Sequence, residues 1–215
     1  MEIINLSNGN SVMNRYMAEI RDTKYQKNRL LFRNNIERIG QVMAYEISKK
    51  LEYRAQMVTT PLGTLDINLP QDDLIIATVL RAGLPFHQGF LNVFDHADNA
   101  FVSAYRMYTN REHTQVGIHT EYMAAPSIEG KTLIIVDPML ATGGSACDAI
   151  DLLKKRGCKN IKFMAIIGAP EGIARVAENH PDVDIYVSTV DRCLNEHGYI
   201  LPGLGDAGDR LFGTK

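Results

Sequence analysis

The sequence predicts an α/β fold built on a mainly parallel sheet flanked by helices, and two observations predict it. First, short apolar runs at residues 74–79, 100–105, 132–136, 161–167 and 185–190 alternate with helical periodicity around 84–94, 146–156 and 173–179. That rhythm belongs to strands buried on both faces and joined by helical crossovers. Second, the run Leu133-Ile134-Ile135-Val136 feeds directly into Asp137-Pro138-Met139-Leu140-Ala141-Thr142-Gly143-Gly144-Ser145 and then into a helical pattern. A strand, a small-residue loop and a helix start in that order form an anion cradle, because the first amides of a helix are unpaired and carry partial positive charge.

The elements follow in order. Residues 11–51 are helical, with Leu31, Ile36, Ile39, Met43, Ile47 and Leu51 at spacings of three to five, and Asp22-Thr23 divides the stretch into two helices. The interleaved Arg29, Arg33 and Arg38 make a solvated face or subunit contacts. Residues 53–69 alternate about Pro61-Leu62-Gly63 and predict a hairpin. The alternating strands and helices come next, and a polar stretch at 109–120 with little apolar periodicity reads as a loop that closes over the site. A metal site at its His113 and His119 is disfavoured, since no acid or cysteine stands at ligand spacing. No repeat or linker divides the chain, so residues 1–215 form a single domain.

Composition excludes several classes. A formal net charge of −2 argues against a general nucleic-acid binder, so any anion site is local. Cys147, Cys158 and Cys193 show no metal spacing and suit free thiols in a reducing compartment, which predicts a cytoplasmic protein. The N-terminal residues lack the pattern of a signal peptide, and no apolar window is long enough to span a membrane.

Four features converge on the carboxyl edge of the sheet, where open α/β sheets bind ligands. Asp137 ends a strand beside the cradle and can meet sugar hydroxyls. The cradle lacks the lysine of a nucleoside-triphosphate loop and the glycine spacing of a dinucleotide site, so a sugar monophosphate fits it better. A glycine pair after a strand also serves any tight turn. Arg81, in Val79-Leu80-Arg81-Ala82-Gly83-Leu84, ends a buried strand where it can grip diphosphate oxygens; the competing reading is a surface ion pair. Arg106 ends the next strand. The run Asn195-Glu196-His197-Gly198-Tyr199-Ile200-Leu201-Pro202-Gly203-Leu204-Gly205-Asp206-Ala207-Gly208-Asp209 is too rich in glycine for helix or strand. Its main chain either reads a flat polar base or caps the sheet.

These residues resemble the uracil phosphoribosyltransferase family, which has the type I phosphoribosyltransferase fold. The likeness rests on DPMLATGGS at 137–145, LRAGL at 80–84 and NEHGYILPGLGDAGD at 195–209. Most relatives on this fold carry two adjacent acids before the phosphate loop; Pro138 in place of the second is typical of the uracil-specific branch. The resemblance implies transfer of the phosphoribosyl group of 5-phosphoribosyl diphosphate (PRPP) to uracil, with Mg²⁺ held mainly by the diphosphate. By motif, Arg81 and Arg106 bind diphosphate, Asp137 holds ribose hydroxyls, and the loop from Pro138 through Met139, Leu140, Ala141, Thr142, Gly143, Gly144 and Ser145 takes the remainder of PRPP, its 5-phosphate lying at 141–145. Ile200, Gly205, Asp206 and Ala207 read uracil through their main chain. Arg106 and Asp206 are implied as catalytic, the Asp206 carboxylate approaching the diphosphate and its metal. A hood over the site is implied at about 53–69 and 191–215, the first of these being alternatively a dimer-facing hairpin.

The resemblance further implies a homodimer or higher homo-oligomer, and leaves GTP, which activates some relatives, as a candidate effector. The segment 107–120 departs from the family pattern. Rival readings are a phosphoribosyltransferase for another base, an RNA-binding regulator on this fold, and an inactive uridine-kinase-associated domain. The 198–209 run disfavours the first, the charge the second, and the joint presence of both arginines and the loop the third.

Overall fold

The computed structural model describes residues 2–6, 9–108 and 116–214, with only the backbone for 104–108 and 116–121. The elements run β1 (Ile3–Asn5), α1 (Val12–Arg21), α2 (Arg29–Ser48), β2 (Tyr53–Thr60), β3 (Gly63–Pro70), β4 (Leu74–Val79), α3 (Leu84–Leu91), β5 (Asp98–Tyr108), β6 (Val116–Ala124), β7 (Thr132–Val136), β8 (Met139–Leu140), α4 (Gly144–Lys154), β9 (Asn160–Gly168), α5 (Pro170–Asn179), β10 (Asp184–Val190), β11 (Cys193–Leu194), β12 (Ile200–Leu201) and α6 (Ala207–Phe212).

The main sheet has the order β1-β10-β9-β7-β4-β5-β6, with the short β8 alongside β9. Every neighbouring pair is parallel except β5 with β6. Chain parity divides the core. In β4, β7 and β9 the even residues Ile76, Ile134 and Met164 pack towards α1, α2, α3 and α6, while the odd residues Ile75, Leu133 and Phe163 pack towards α4 and α5. Alternate side chains leave a strand on opposite faces, so two apolar faces require the continuous apolar runs seen in the sequence.

From β4 the chain steps through α3 to β5 on one side, and from β7 through α4 to β9 on the other. The order therefore reverses between β4 and β7, which opens a crevice at their carboxyl ends.

Local chemistry fixes the boundaries. Ser11 caps α1 by accepting from the Met13 amide at 3.2 Å, and Asn28 caps α2 by accepting from Leu31 at 3.1 Å. The break between them is where Asp22-Thr23 places it. The β2–β3 hairpin pairs Thr60 with Gly63 around Pro61-Leu62, and the Thr60 hydroxyl accepts from the Leu62 and Gly63 amides.

Two expectations need correction. Residues 116–120, read as part of a polar closing loop, are strand in β6. An edge strand paired only to β5 needs no continuous apolar run. The run 195–209 also holds more regular structure than its glycines suggest: β12 pairs with β11, and α6 starts at Ala207 because Asp206 caps it, accepting from the Asp209 amide at 2.8 Å. The rest of the closing-loop expectation, residues 109–115 with His113, and the side chain of His119 lie outside the described residues. Arg29, Arg33 and Arg38 are partly committed within the chain: Arg33 donates to the Leu211 carbonyl at 2.9 Å and Arg38 to the Asn35 side chain at 3.0 Å.

Candidate active site

The crevice holds a three-lobed cavity. Its largest lobe, about 450 Å³, lies over the ends of β4 and β7 and is walled by Arg81, Asp137, Ser145, Asp206, Asp209 and Thr214, among others. A smaller lobe of about 80 Å³ is lined by Asp137 and residues 139–146. A third, of about 160 Å³, is lined by Met139, Ala141, residues 198–200 and residues 205–207. Met139 borders all three, which makes them neighbours around that residue.

The small lobe is shaped by backbone constraint. Gly143, at φ +75°, stands before the first turn of α4, in a conformation that a side chain rarely tolerates. A Cβ there would lie 2.7 Å from the Gly172 carbonyl. Thr142 and Ser145 are exposed to the lobe, while Gly143 and Gly144 are buried in its wall. The Thr142 hydroxyl accepts from the Gly144 amide at a long 3.5 Å, and an anion placed at the start of α4 would meet the same amide and hydroxyls. Pro138 stands apart from the lining: its ring is buried and its carbonyl accepts from the Ile166 and Ile167 amides, both at 3.1 Å, which docks the loop on β9.

Asp137 is half-buried at the cavity floor. Loss of hydration pushes its carboxyl up to about 7, against the pull of the Met139 amide, which donates to it at 3.2 Å. Such a group changes charge near neutrality.

Arg81 reaches the large lobe from the end of β4. Its guanidinium donates to the Gly213 carbonyl at 3.1 Å, stands 3.5 Å from the Asp209 carboxylate and lies 5.8 Å from the centre of the Phe212 ring. The C-terminal segment is therefore folded against the cation. Arg106 lies on β5, its backbone opposite Ile118 of β6; its side chain is outside the described residues.

The third lobe is floored by Met139 and Ala141 and walled by the run after β11. Gly205, at φ +87°, and the buried Ile200 and Ala207 bring main chain to its surface. Leu194 donates to Glu171 at 3.0 Å, tying this wall to α5.

The sequence-derived residues Arg81, Asp137, residues 139–145, Ile200, Gly205, Asp206 and Ala207 are gathered around this space. Residues 53–69 line none of its lobes. Gly198, Tyr199, Gly208 and Asp209 are additional lining residues that fall inside the quoted C-terminal motif. Gly172, which supports the loop from behind, carries no signal in the sequence.

Comparison with known proteins gives concordant results. A family model described as uracil phosphoribosyltransferase matches residues 8–214. The chain is 50% identical over 217 aligned positions to a uracil phosphoribosyltransferase of Porphyromonas gingivalis, covering 100% of both. It is 46% identical over 186 positions to one of Dictyoglomus turgidum, covering 86% of this chain and 87% of that protein. A solved protein of Aquifex aeolicus superposes with a TM-score of 0.87 at 32% identity, over 99% of each chain. A hypoxanthine phosphoribosyltransferase of Staphylococcus aureus superposes with a TM-score of 0.50 at 19% identity, over 86% of this chain and 83% of that one, a likeness of fold alone. The sheet is the type I phosphoribosyltransferase sheet. On the extent of the family match and the identity to these relatives, this chain belongs to the uracil phosphoribosyltransferase family.

Proposed function

We propose that this chain transfers the 5-phosphoribosyl group of PRPP to uracil, giving uridine monophosphate and pyrophosphate in pyrimidine salvage. The observation that carries the reading is the junction of a small-residue anion lobe, an Arg81 lobe and a main-chain-walled lobe at Met139. A sugar with a phosphate at one end and a diphosphate at the other, with a flat base beside it, would fill them together.

In this reading the 5-phosphate lies on the start of α4 against Thr142 and Ser145. Asp137 accepts from ribose hydroxyls. The diphosphate occupies the large lobe, with Arg81 and Arg106 on its oxygens. The C1′–oxygen bond breaks towards pyrophosphate, the ribose passes through an oxocarbenium-like state, and uracil N1 forms the new bond as its proton is released. No covalent intermediate with the protein is needed. Positioning and preorganised charge supply the rate.

Mg²⁺ suits the large lobe as a partner of the substrate. As the family resemblance implies, the ion would be held mainly by diphosphate oxygens, with the carboxylates of Asp206 and Asp209 at the wall. When bound, it would neutralise charge developing on the leaving group.

The hood reading is kept for residues 191–215 and is supported by residues 198–200, 205–209 and 214, which line the cavity. The β2–β3 hairpin instead supports self-association. It forms its own two-stranded sheet and exposes Met57, Leu62, Leu65 and Ile67. An isolated hairpin is marginal in water, and a second copy would cover these side chains. GTP remains a candidate effector on family grounds. Among the described residues no helix is long and apolar enough to cross a membrane; the cytoplasmic reading rests on Cys147, Cys158 and Cys193, which stand as thiols.

The test is to incubate the protein with PRPP, Mg²⁺ and a panel of bases and to follow pyrophosphate release. Release with uracil alone is expected. Release only with a purine would reject the base assignment.

A further inference from the structure

Resting on the uracil reading above, we propose that Arg21, Gln26 and Asp191 are positioning residues for the base: a clamp behind the 203–207 loop sets where its main-chain readers stand. A loop that recognises a base through peptide groups depends on the placement of those groups, since no long side chain can adjust for a displaced backbone. Residues 202–206 lie outside helix and strand, so something other than a ladder must hold them.

The back of the loop is tied at successive peptide groups. The Gly203 amide donates to the Asp191 carboxylate at 2.8 Å, and the Gly203 carbonyl accepts from the Arg21 guanidinium at 3.0 Å. The same guanidinium grips both Asp191 oxygens, at 2.8 and 2.7 Å. One residue on, the Leu204 carbonyl accepts from the Gln26 amide at 3.3 Å; that amide also donates to the Ile20 and Arg21 carbonyls, at 3.2 and 3.1 Å. Gly205, Asp206 and Ala207, which follow immediately, line the base lobe.

The clamp is rigid at its other end. Asp191 continues from β10, and its amide donates to the Gly168 carbonyl at 2.8 Å, at the end of β9. Arg21 is the last residue of α1. The pair is shielded, with side-chain exposures of 23% for Arg21 and 6% for Asp191, which strengthens its forked contact and makes loss of one partner costly. Arg21, Gln26 and Asp191 line none of the three lobes, so they act on the base through the loop. The phosphate lobe stands on β7, β8 and α4; it meets the clamp's anchor through Gly168, which pairs with Leu140 of β8, but none of the clamp's side-chain hydrogen bonds goes to a residue that lines it.

The consequence is a separation of effects. Loosening the clamp should weaken uracil binding and blur its distinction from cytosine, whose donor and acceptor at the ring edge are exchanged, and should disturb PRPP less, because Asp206 and Ala207 also border the large lobe but the 5-phosphate lobe does not rest on this loop. The test uses the full chain with Asp191→Asn, Arg21→Ala, Arg21→Lys, Gln26→Leu and the Arg21→Ala/Asp191→Asn double variant. KM for uracil, KM for PRPP, kcat and thermal melting are measured for each, with cytosine as the competing base.

Asp191→Asn is expected to raise the uracil KM about tenfold or more, with the PRPP KM within about twofold, because misplacement of about 1 Å costs up to two orders of magnitude. Arg21→Lys should recover part of what Arg21→Ala loses, and the double variant should be no worse than the worse single one, as expected of groups acting as a unit. Gln26→Leu removes only the minor tie. Its rise of a few fold in uracil KM carries the test should the charged variants fail to fold. Parallel rises in both KM values, an unchanged uracil KM in folded variants, or fully multiplying effects would overturn the clamp. Wild-type protein inactive with uracil would remove the underlying reading as well; an active wild type with neutral variants removes the clamp alone.

Discussion

The Arg81 guanidinium donates to the carbonyl of Gly213 at 3.1 Å, joining the end of β4 to a segment more than a hundred residues later. Asp209 stands 3.5 Å from the same cation. In the proposed reading, the diphosphate meets a guanidinium that the chain already engages. Replacing Arg81 by alanine should slow pyrophosphate release roughly 10²-fold or more, by analogy with loss of one transition-state donor. Arg81→Lys should recover little, since an ammonium lacks the planar fork. Undiminished turnover of Arg81→Ala would remove Arg81 from the role.

Gly172 supports the phosphate loop without facing the ligand. A Cβ there would lie 2.3 Å from the Ala141 carbonyl, a contact relieved only by moving backbone. Gly172→Ala should cost about 1–3 kcal/mol of stability, as overpacking does, and raise the KM for PRPP more than that for uracil. Thermal melting and initial rates test both parts. A variant with native melting and native PRPP KM would show that the loop yields freely.

Asp137 supplies a pH signature. Its folded carboxyl titrates near 7, against 3.8 for an ordinary aspartate, because burial disfavours the charge. Between those values the folded state holds the extra proton, so this group's contribution to stability falls as pH rises through the window and levels off above about 7. Catalysis should show the opposite trend. The ionised carboxylate is the better acceptor for ribose hydroxyls, so kcat/KM for PRPP should fall on the acid side with a midpoint near 7, and Asp137→Asn should lose that limb. An unchanged acid limb in the variant would assign it elsewhere.

The hairpin predicts an assembly phenotype. Leu62 is fully exposed at its tip, with Met57, Leu65 and Ile67 along its strands. Leu62→Asp combined with Met57→Asp should reduce the particle mass measured by light scattering, leaving the secondary-structure spectrum unchanged. The same mass in wild type and variant would mean that the hairpin is not the seam.

What the sequence reveals follows the range of the interactions. The loop from Asp137 to Ser145 is legible because its strand, glycines and helix start are contiguous, and the structure keeps them so. The hairpin is legible because Pro61 and Gly63 fix its turn locally. Strand β6 is harder to see, since its pairing with β5 is a property of the edge rather than of an apolar pattern. Helix α6 is hidden by the glycines around it, although Asp206 and Asp209 stand at capping distance. The Arg21–Asp191 contact spans 170 positions and leaves no local trace. Neither residue belongs to a motif, and only the fold brings them together.

The order of the lobes along the chain has a consequence for biosynthesis. Arg81 and the loop at 137–145 leave the ribosome well before residues 198–209, which wall the base lobe. Since a domain folds as a unit, and the core itself includes Ile200, Leu204, Ala207 and Leu211, those earlier parts stay unfinished until the later ones have been released, so the polypeptide is made nearly whole before it can hold either substrate.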